Sequence, residues 1–226
     1  MNRQVLRSFA MAVLIAIVLA GAAAWRGALT PGIVMFLAST LALLGIRAQY
    51  TSDPLPIASR HRQVRETFLL QLVAAGMSYL PAIAIATPLL DFANYATPLW
   101  VLGLGAVLSI AGLWLFWRSH ADLGQNWSVT LELRSTHKLV TRGVYSRIRH
   151  PMYSAIFLIA AAQAAFLGNW IAGPAGFFTF TVLYLDRVRA EEQMMAERFG
   201  TDWTRYAART GRLLPTAARN ETGSAA

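Results

Sequence analysis

Residues 143–153 read Gly143-Val144-Tyr145-Ser146-Arg147-Ile148-Arg149-His150-Pro151-Met152-Tyr153, a cationic, aromatic loop that runs straight into an apolar stretch, residues 152–185. The stretch ends at Asp186-Arg187-Val188-Arg189-Ala190-Glu191-Glu192. Within it, Gly168-Asn169-Trp170 and then Gly173-Pro174 supply a turn signal, so a helical hairpin is expected rather than one long helix. Such a hairpin returns both charged flanks to one side. Charge beside a bilayer is costly unless it is paired or put to use, and gathering it at one end of a hairpin points to a polar site there.

Composition places the rest of the chain in the same setting. It is 56% hydrophobic and 14% charged, with mean hydropathy +0.44, outside the range of soluble domains. There is no cysteine, which removes disulfides, thiolate catalysis and Cys-based metal sites; no metal is expected. The net charge of +9 is carried between apolar spans, so it reads as topogenic charge, and no nucleic-acid partner is expected.

The expected fold is all-α: a polytopic integral membrane protein of about six transmembrane segments. The segments fall at residues 5–24, 31–46, 68–90, 99–117 and the two legs of 152–185. The first four are near the roughly 20 residues needed to span. The first is read as a retained helix, since no small-residue cleavage site and soluble domain follow it. Pro81 and Pro88 should kink or break the third near one end. Trp25 and Tyr50 suit interfacial positions. About 16 residues per hairpin leg give about 24 Å, short of a roughly 30 Å core; the second leg should therefore continue as a helix through 186–199, which lacks Gly and Pro before its end.

If the segments alternate, Arg26 alone of the 20 Lys and Arg lies on one side, with Asp91, Asn94 and Asn169. Both termini, the 49–66 loop and the 118–150 loop should then be cytoplasmic. The chain reads as one membrane domain, 1–226: N-terminal helices 1–117, a core 118–215 holding the hairpin, and a small, polar tail 216–226. The Ala- and Arg-rich composition points to a bacterial plasma (inner) membrane.

Three pieces of the cytoplasmic surface stand out. One is Gly124-Gln125-Asn126-Trp127-Ser128. The second runs from His137-Lys138-Leu139-Val140 through Tyr145 to Tyr153. The third is the exit helix, continuing to Glu197-Arg198-Phe199-Gly200, Trp203, Tyr206 and Arg212-Leu213-Leu214-Pro215. Singly, each has an ordinary explanation: interfacial anchors for the cations and aromatics, N-terminal punctuation for Pro151, and a surface ion pair four residues apart for Arg187 and Glu191.

Together they are more specific. The pattern His137-x-Leu139-Val140-Thr141-x-Gly143-x-Tyr145-x-x-x-Arg149-His150-Pro151-x-Tyr153, a hydrophobic hairpin, Arg187-x-x-x-Glu191-Glu192 and Phe199-Gly200-x-x-Trp203-x-x-Tyr206 resembles the isoprenylcysteine carboxyl methyltransferase family. That family is related to the phospholipid N-methyltransferases, and the Asn126-Trp127-Ser128 segment resembles its bacterial branch. The resemblance covers about 124–215. It implies an integral-membrane enzyme that uses S-adenosylmethionine, bound in a cytoplasmic pocket between the loop before the hairpin and the helix after it. The donor-binding residues implied are His137, Lys138, Leu139, Val140, Tyr145, His150, Pro151, Met152, Tyr153 and Glu191. Arg187 matches the arginine that orients the acceptor carboxylate, and with Glu191 forms the implied catalytic pair. Thr130 and Glu132 are alternatives for a contact to the His segment.

These residue types suit the donor. A carboxylate such as Glu191 complements its cationic groups, and Arg149, His150 or backbone N–H groups complement its carboxylate. Tyr145, Tyr153 and Trp127 offer ring faces. Apolar legs would admit a lipophilic or lipidated acceptor from the bilayer, among membrane lipids. A carboxylate acceptor needs no general base; an amine or thiol does, with Glu191, Glu192 or His150 available. Acceptors other than an isoprenylcysteine-like carboxylate are an aminophospholipid such as phosphatidylethanolamine, or a small thiol. A transporter or lipid-binding protein is the non-enzymatic alternative, disfavoured by the few polar residues in mid-span.

Overall fold

The computed structural model describes residues 3–50, 60–124 and 139–216. Among them the structure is helical, without strands. Helix α1 (Arg3–Trp25) leads to α2 (Pro31–Ala48), whose start is fixed by Pro31 at its first position and by the Thr30 hydroxyl accepting from the Ile33 N–H at 3.3 Å. Helices α3 (Arg60–Ala74) and α4 (Leu80–Ala86) are joined through a π-helical turn, Ala75–Tyr79, into one apolar span, Val64–Ala86. Then come a 3-10 turn (Pro88–Ala93), α5 (Leu99–Leu123), a second 3-10 turn (Gly143–Ser146), α6 (Pro151–Leu167) and α7 (Ala175–Arg209).

Among the described residues, four helical stretches are long and apolar enough to cross a membrane: Val5–Trp25, Pro31–Ala48, Val64–Ala86 and Leu99–Leu123. The hairpin is present as α6 and α7 with a turn at 168–174, and α6 is shorter than the other four. As expected, the second leg runs on past the apolar region. Gly200 (φ 51°, ψ −121°) then breaks α7, so residues 201–209 form a separate helical piece.

Two expected boundaries are revised. The third span ends at Ala86, earlier than the expected 90, and Pro88 opens a separate 3-10 turn, so the span is broken there. A second distortion lies earlier, at the π turn just before Pro81. The Pro81 ring excludes the carbonyl four residues back, and a widened turn makes room for it. In that turn the Gly76 carbonyl accepts from the Gln163 amide at 2.9 Å, and the same amide donates to the Ala172 carbonyl at 2.8 Å. A buried amide in mid-helix thus ties α6 to the third span and to the hairpin turn. Helix α5 extends beyond Trp117 to Leu123, stopping where Gly124 takes φ +55°.

Helix α6 is central. It packs most extensively on α5 and also contacts α2 and α7, while α7 lies against α3 and the π turn. Close approach of α5 and α6 depends on Gly112, where an added Cβ would lie 2.8 Å from Ile159 and 3.0 Å from the Ala155 carbonyl. The polar residues expected on the far side come together there. Asn169 is buried and donates to the Leu90 carbonyl (2.8 Å) and to Asn94 (2.7 Å), while Arg26 pairs with Asp91 at 2.6 Å. The Tyr50 ring packs 5.0 Å from that of the buried His120.

Candidate active site

The loop before the hairpin is shaped by Gly143. Its φ of +61° favours glycine, and an added Cβ would come within 2.1 Å of the Asp122 carboxylate. Asp122, on the last turn of α5, accepts from the Val144 N–H at 2.9 Å and from Arg118 at 2.6 Å. The 3-10 turn then buries Tyr145. The Tyr145 hydroxyl donates to the Ser119 carbonyl at 3.4 Å, and its own carbonyl accepts from the Tyr206 hydroxyl at 2.8 Å. Burial, reinforced by Tyr206, Asp122 and Glu191, pushes the Tyr145 phenol well up; burial also lifts Tyr206, to about 12. Both hydroxyls are neutral positioning groups at physiological pH.

Next, the chain is stitched to its own C-terminal segment. The Arg149 N–H donates to the Gly211 carbonyl at 2.7 Å, His150 N–H to Arg212 at 3.0 Å, and Gly211 N–H to Arg147 at 3.2 Å. The Ser154 hydroxyl donates to the Leu213 carbonyl at 2.6 Å. The Arg149 guanidinium donates to the carbonyls of Ala207, at 2.6 Å, and Thr210, meeting carbonyls that a helix end leaves without partners. Arg149, which the sequence offered for the donor's carboxylate, is largely committed to this cap.

His150 and Tyr153 face two successive carboxylates of α7. His150 Nε2 lies 3.2 Å from Glu192 Oε1, and Nδ1 lies 3.5 Å from Glu191 Oε2. The Tyr153 hydroxyl donates to Glu191 Oε1 at 2.5 Å, and its ring stacks on His150 with centroids 5.5 Å apart. The two carboxylates differ in character. Burial raises the Glu191 pKa, and this outweighs the opposing effects of the Tyr153 hydrogen bond, His150 and Arg187. For Glu192 burial also acts upward, but it is overcome by hydrogen bonds from His150 and Arg212 and by the charges of His150 and Arg149, which hold it at about 2. Arg212 reaches Glu192 through two nitrogens, at 3.0 and 2.5 Å.

One cavity of about 600 Å³ joins these groups, within the size range of small-molecule sites. Leu139, Val140 and Tyr145 line it from the loop, His150, Pro151, Met152 and Tyr153 from the start of α6, and Arg187 and Glu191 from α7. Every implied site residue within the described part of the chain is therefore on one wall or another of the same space. His137 and Lys138 lie outside the described residues, as do residues 125–128, Thr130 and Glu132. From its charged end the cavity continues between apolar side chains to Phe36, Ile159 and Phe166 in the interior of the bundle.

The ordinary explanation of Arg187 and Glu191 as a surface ion pair within α7 is not what the structure shows; both line the cavity. Arg187 bonds instead to Glu66 of α3, with both side chains about 10% exposed, while Glu191 accepts from Tyr153. A guanidinium on a long stem reaches a facing helix as readily as the next turn of its own, and here α3 lies alongside α7. Sequence reasoning left Glu66, Asp122, Trp203 and Tyr206 without roles. Trp203 and Tyr206 are buried and line the cavity, and the Phe-Gly-x-x-Trp-x-x-Tyr spacing around the break at Gly200 was the signal for them. Among the described residues no group of three or more His, Cys, Asp or Glu is placed to hold a metal ion.

The chain matches the family model described as the isoprenylcysteine carboxyl methyltransferase (ICMT) family over residues 103–197, from within α5 to the exit helix. It is 30% identical over 184 residues to a protein-S-isoprenylcysteine O-methyltransferase of Saccharomyces cerevisiae, covering 75% of this chain and 72% of the yeast protein. The chain belongs to the isoprenylcysteine carboxyl methyltransferase family. It is also 28% identical over 118 residues to protein-S-isoprenylcysteine O-methyltransferase B of Arabidopsis thaliana (51% of this chain, 60% of that protein). A Tribolium castaneum protein-S-isoprenylcysteine O-methyltransferase is 30% identical over 118 residues (51% and 42%). These matches thus span about two-fifths to three-fifths of the length of the last two relatives. The solved structure of the eukaryotic intramembrane Ras methyltransferase ICMT aligns with a TM-score of 0.49 and 22% identity, over 81% of this chain and 63% of that one. The relatives named are eukaryotic, and the expected bacterial-type membership is not borne out.

Proposed function

We propose that the protein is an S-adenosylmethionine-dependent membrane methyltransferase that O-methylates the carboxylate of an isoprenylcysteine-like acceptor. The observation that carries this reading is one continuous cavity, polar at the His150–Glu191 end and apolar towards Phe166. Membership of the family supports it, as does the presence of the implied donor residues from 139 onward in the lining of that cavity.

The residues fit the donor by charge. Glu191 offers a carboxylate to a cationic group, held in place by the Tyr153 hydroxyl; the Tyr153 and His150 rings form a flat stack beside it. When bound, the donor supplies an electrophilic methyl group whose carbon–sulfur bond breaks as the acceptor oxygen forms its bond to carbon. Arg187 orients the acceptor carboxylate, and the apolar end of the cavity takes its lipid chain. Ionised carboxylates attack without losing a proton, so the chain's task is alignment at about 3–3.5 Å and exclusion of water. Glu192, held at about 2 and engaged by Arg149, His150 and Arg212, suits an anchor rather than a general base.

The distribution of Lys and Arg supports a cytoplasmic position for the charged mouth and for both termini. A bacterial plasma membrane rests on composition alone. The acceptor is settled by offering isotopically labelled donor with a prenylcysteine, an aminophospholipid and small thiols to the detergent-solubilised protein. A labelled, base-labile ester of the prenylcysteine is expected. Label only in the amine or thiol would move the reading to N- or S-methylation, and label in none of them would defeat it.

A further inference from the structure

We propose that Glu66 is a positioning residue for the acceptor, acting through Arg187; the inference rests on the acceptor role given to Arg187 above. Glu66 belongs to α3, ahead of residues 103–197 that match the family model. It is buried and lies against Arg187 of α7. One residue earlier on each helix, Arg65 pairs with Asp186, but that Arg65 side chain is 73% exposed. The two pairs differ in placement as well as in burial. A smaller cavity of about 350 Å³ lies between α3 and α7 and is lined by all four residues. Of these, Arg187 alone also lines the large cavity. It stands in the partition, with Glu66 behind it and the methyl-transfer cavity in front.

Arginine can serve both sides at once. Its planar guanidinium carries five N–H donors, so a carboxylate on one edge leaves donors for a second carboxylate on another. Glu66 fixes the plane of the fork before the acceptor arrives, which lowers the ordering that binding must impose. A staple between α3 and α7 needs no buried charge, and Arg65–Asp186 already supplies one at the surface. Withdrawing two charges from water is costly; aiming Arg187 accounts for that cost.

The test compares Glu66→Gln, Glu66→Ala and Arg65→Ala in the full chain. Readouts are prenylcysteine KM, kcat and donor Kd by calorimetry. Glu66→Ala should raise the acceptor KM at least about tenfold while donor Kd stays within about twofold. Glu66→Gln keeps an oxygen for the guanidinium and should restore part of the loss. Arg65→Ala should leave KM at the wild-type value. Wild-type KM in Glu66→Ala overturns the proposal; so does an equal rise in Arg65→Ala, or a donor Kd that moves in step with KM. If Glu66→Ala does not fold, an unchanged KM in Glu66→Gln overturns it and a raised KM at constant donor Kd supports it. A wild-type protein that binds donor yet never methylates prenylcysteine defeats the function itself, an outcome distinct from turnover indifferent to Glu66.

Discussion

The Tyr153 hydroxyl donates to Glu191 Oε1 at 2.5 Å, linking the first turn of α6 to α7 just beyond the apolar leg of the hairpin. With the contacts of Arg149 and His150 to Glu192, this bond closes the two charged flanks of the hairpin onto each other. Because Glu191 is largely buried and burial disfavours its charge, the hydroxyl is part of what keeps an anion at this end of the cavity. Hydrogen bonds to charged groups are worth about 1.5–3 kcal/mol. Tyr153→Phe should therefore weaken donor binding roughly tenfold, and Glu191→Ala should weaken it further. Isothermal calorimetry in detergent checks both; wild-type affinity in Glu191→Ala would remove this carboxylate from the donor wall.

Arg187 should behave differently. It lines the cavity within reach of the Tyr153 hydroxyl and is held from α3. Arg187→Ala should leave donor Kd near the wild-type value while turnover of a prenylcysteine is lost. Arg187→Lys should recover little, since a single ammonium cannot present a fork to a carboxylate on one side and to Glu66 on the other. Single-turnover assays with saturating donor separate these effects. Equal loss of donor affinity and turnover would move Arg187 into the donor site.

Gly143 gives a test of the loop alone. The position combines positive φ with contact to Asp122, and residues forced into such backbone cost about 1–3 kcal/mol. Gly143→Ala should displace the Asp122–Val144 contact, lower the unfolding temperature in detergent and weaken donor binding through Tyr145. Asp122→Asn retains an oxygen acceptor and should be the milder change. If Gly143→Ala keeps both the wild-type melting temperature and donor Kd, the loop is not held by this contact.

How much of this was open to sequence reading depends on the range of the interaction. Spans 5–24 and 99–117, the break at Gly168 and the helical run through 186–199 were legible because each depends on neighbours in the chain. The assembly of Tyr145, His150 and Tyr153 with Glu191 was legible only through a family pattern, since nothing in periodicity brings α6 and α7 into register. Glu66 was not legible. A carboxylate two residues before an apolar span looks like a solvated helix start, and its partner is 121 residues away. Asp122 was missed for a simpler reason: the fourth helix was ended at Trp117, although no Gly or Pro intervenes before Gly124. Reading on to the first glycine would have placed Asp122 on the same helix.

Glu192 supplies a pH dependence with a definite sign. It joins Arg149 and His150 to Arg212, so it fastens the C-terminal segment over the site. Its folded pKa, about 2, is below the usual 4.5. A depressed carboxylate stabilises the folded state above its unfolded pKa, and that contribution fades as pH falls from about 4.5 towards 2. Glu192→Gln lacks the contribution at every pH. The difference in melting temperature between wild type and Glu192→Gln should therefore be widest above about pH 5 and narrow steadily towards pH 2, in a detergent whose own charge does not titrate. A gap that stays constant across this range would show that Glu192 is not held as an anion by Arg149, His150 and Arg212. A gap that widens on acidification would reverse the sign and assign the stabilising role to the protonated acid.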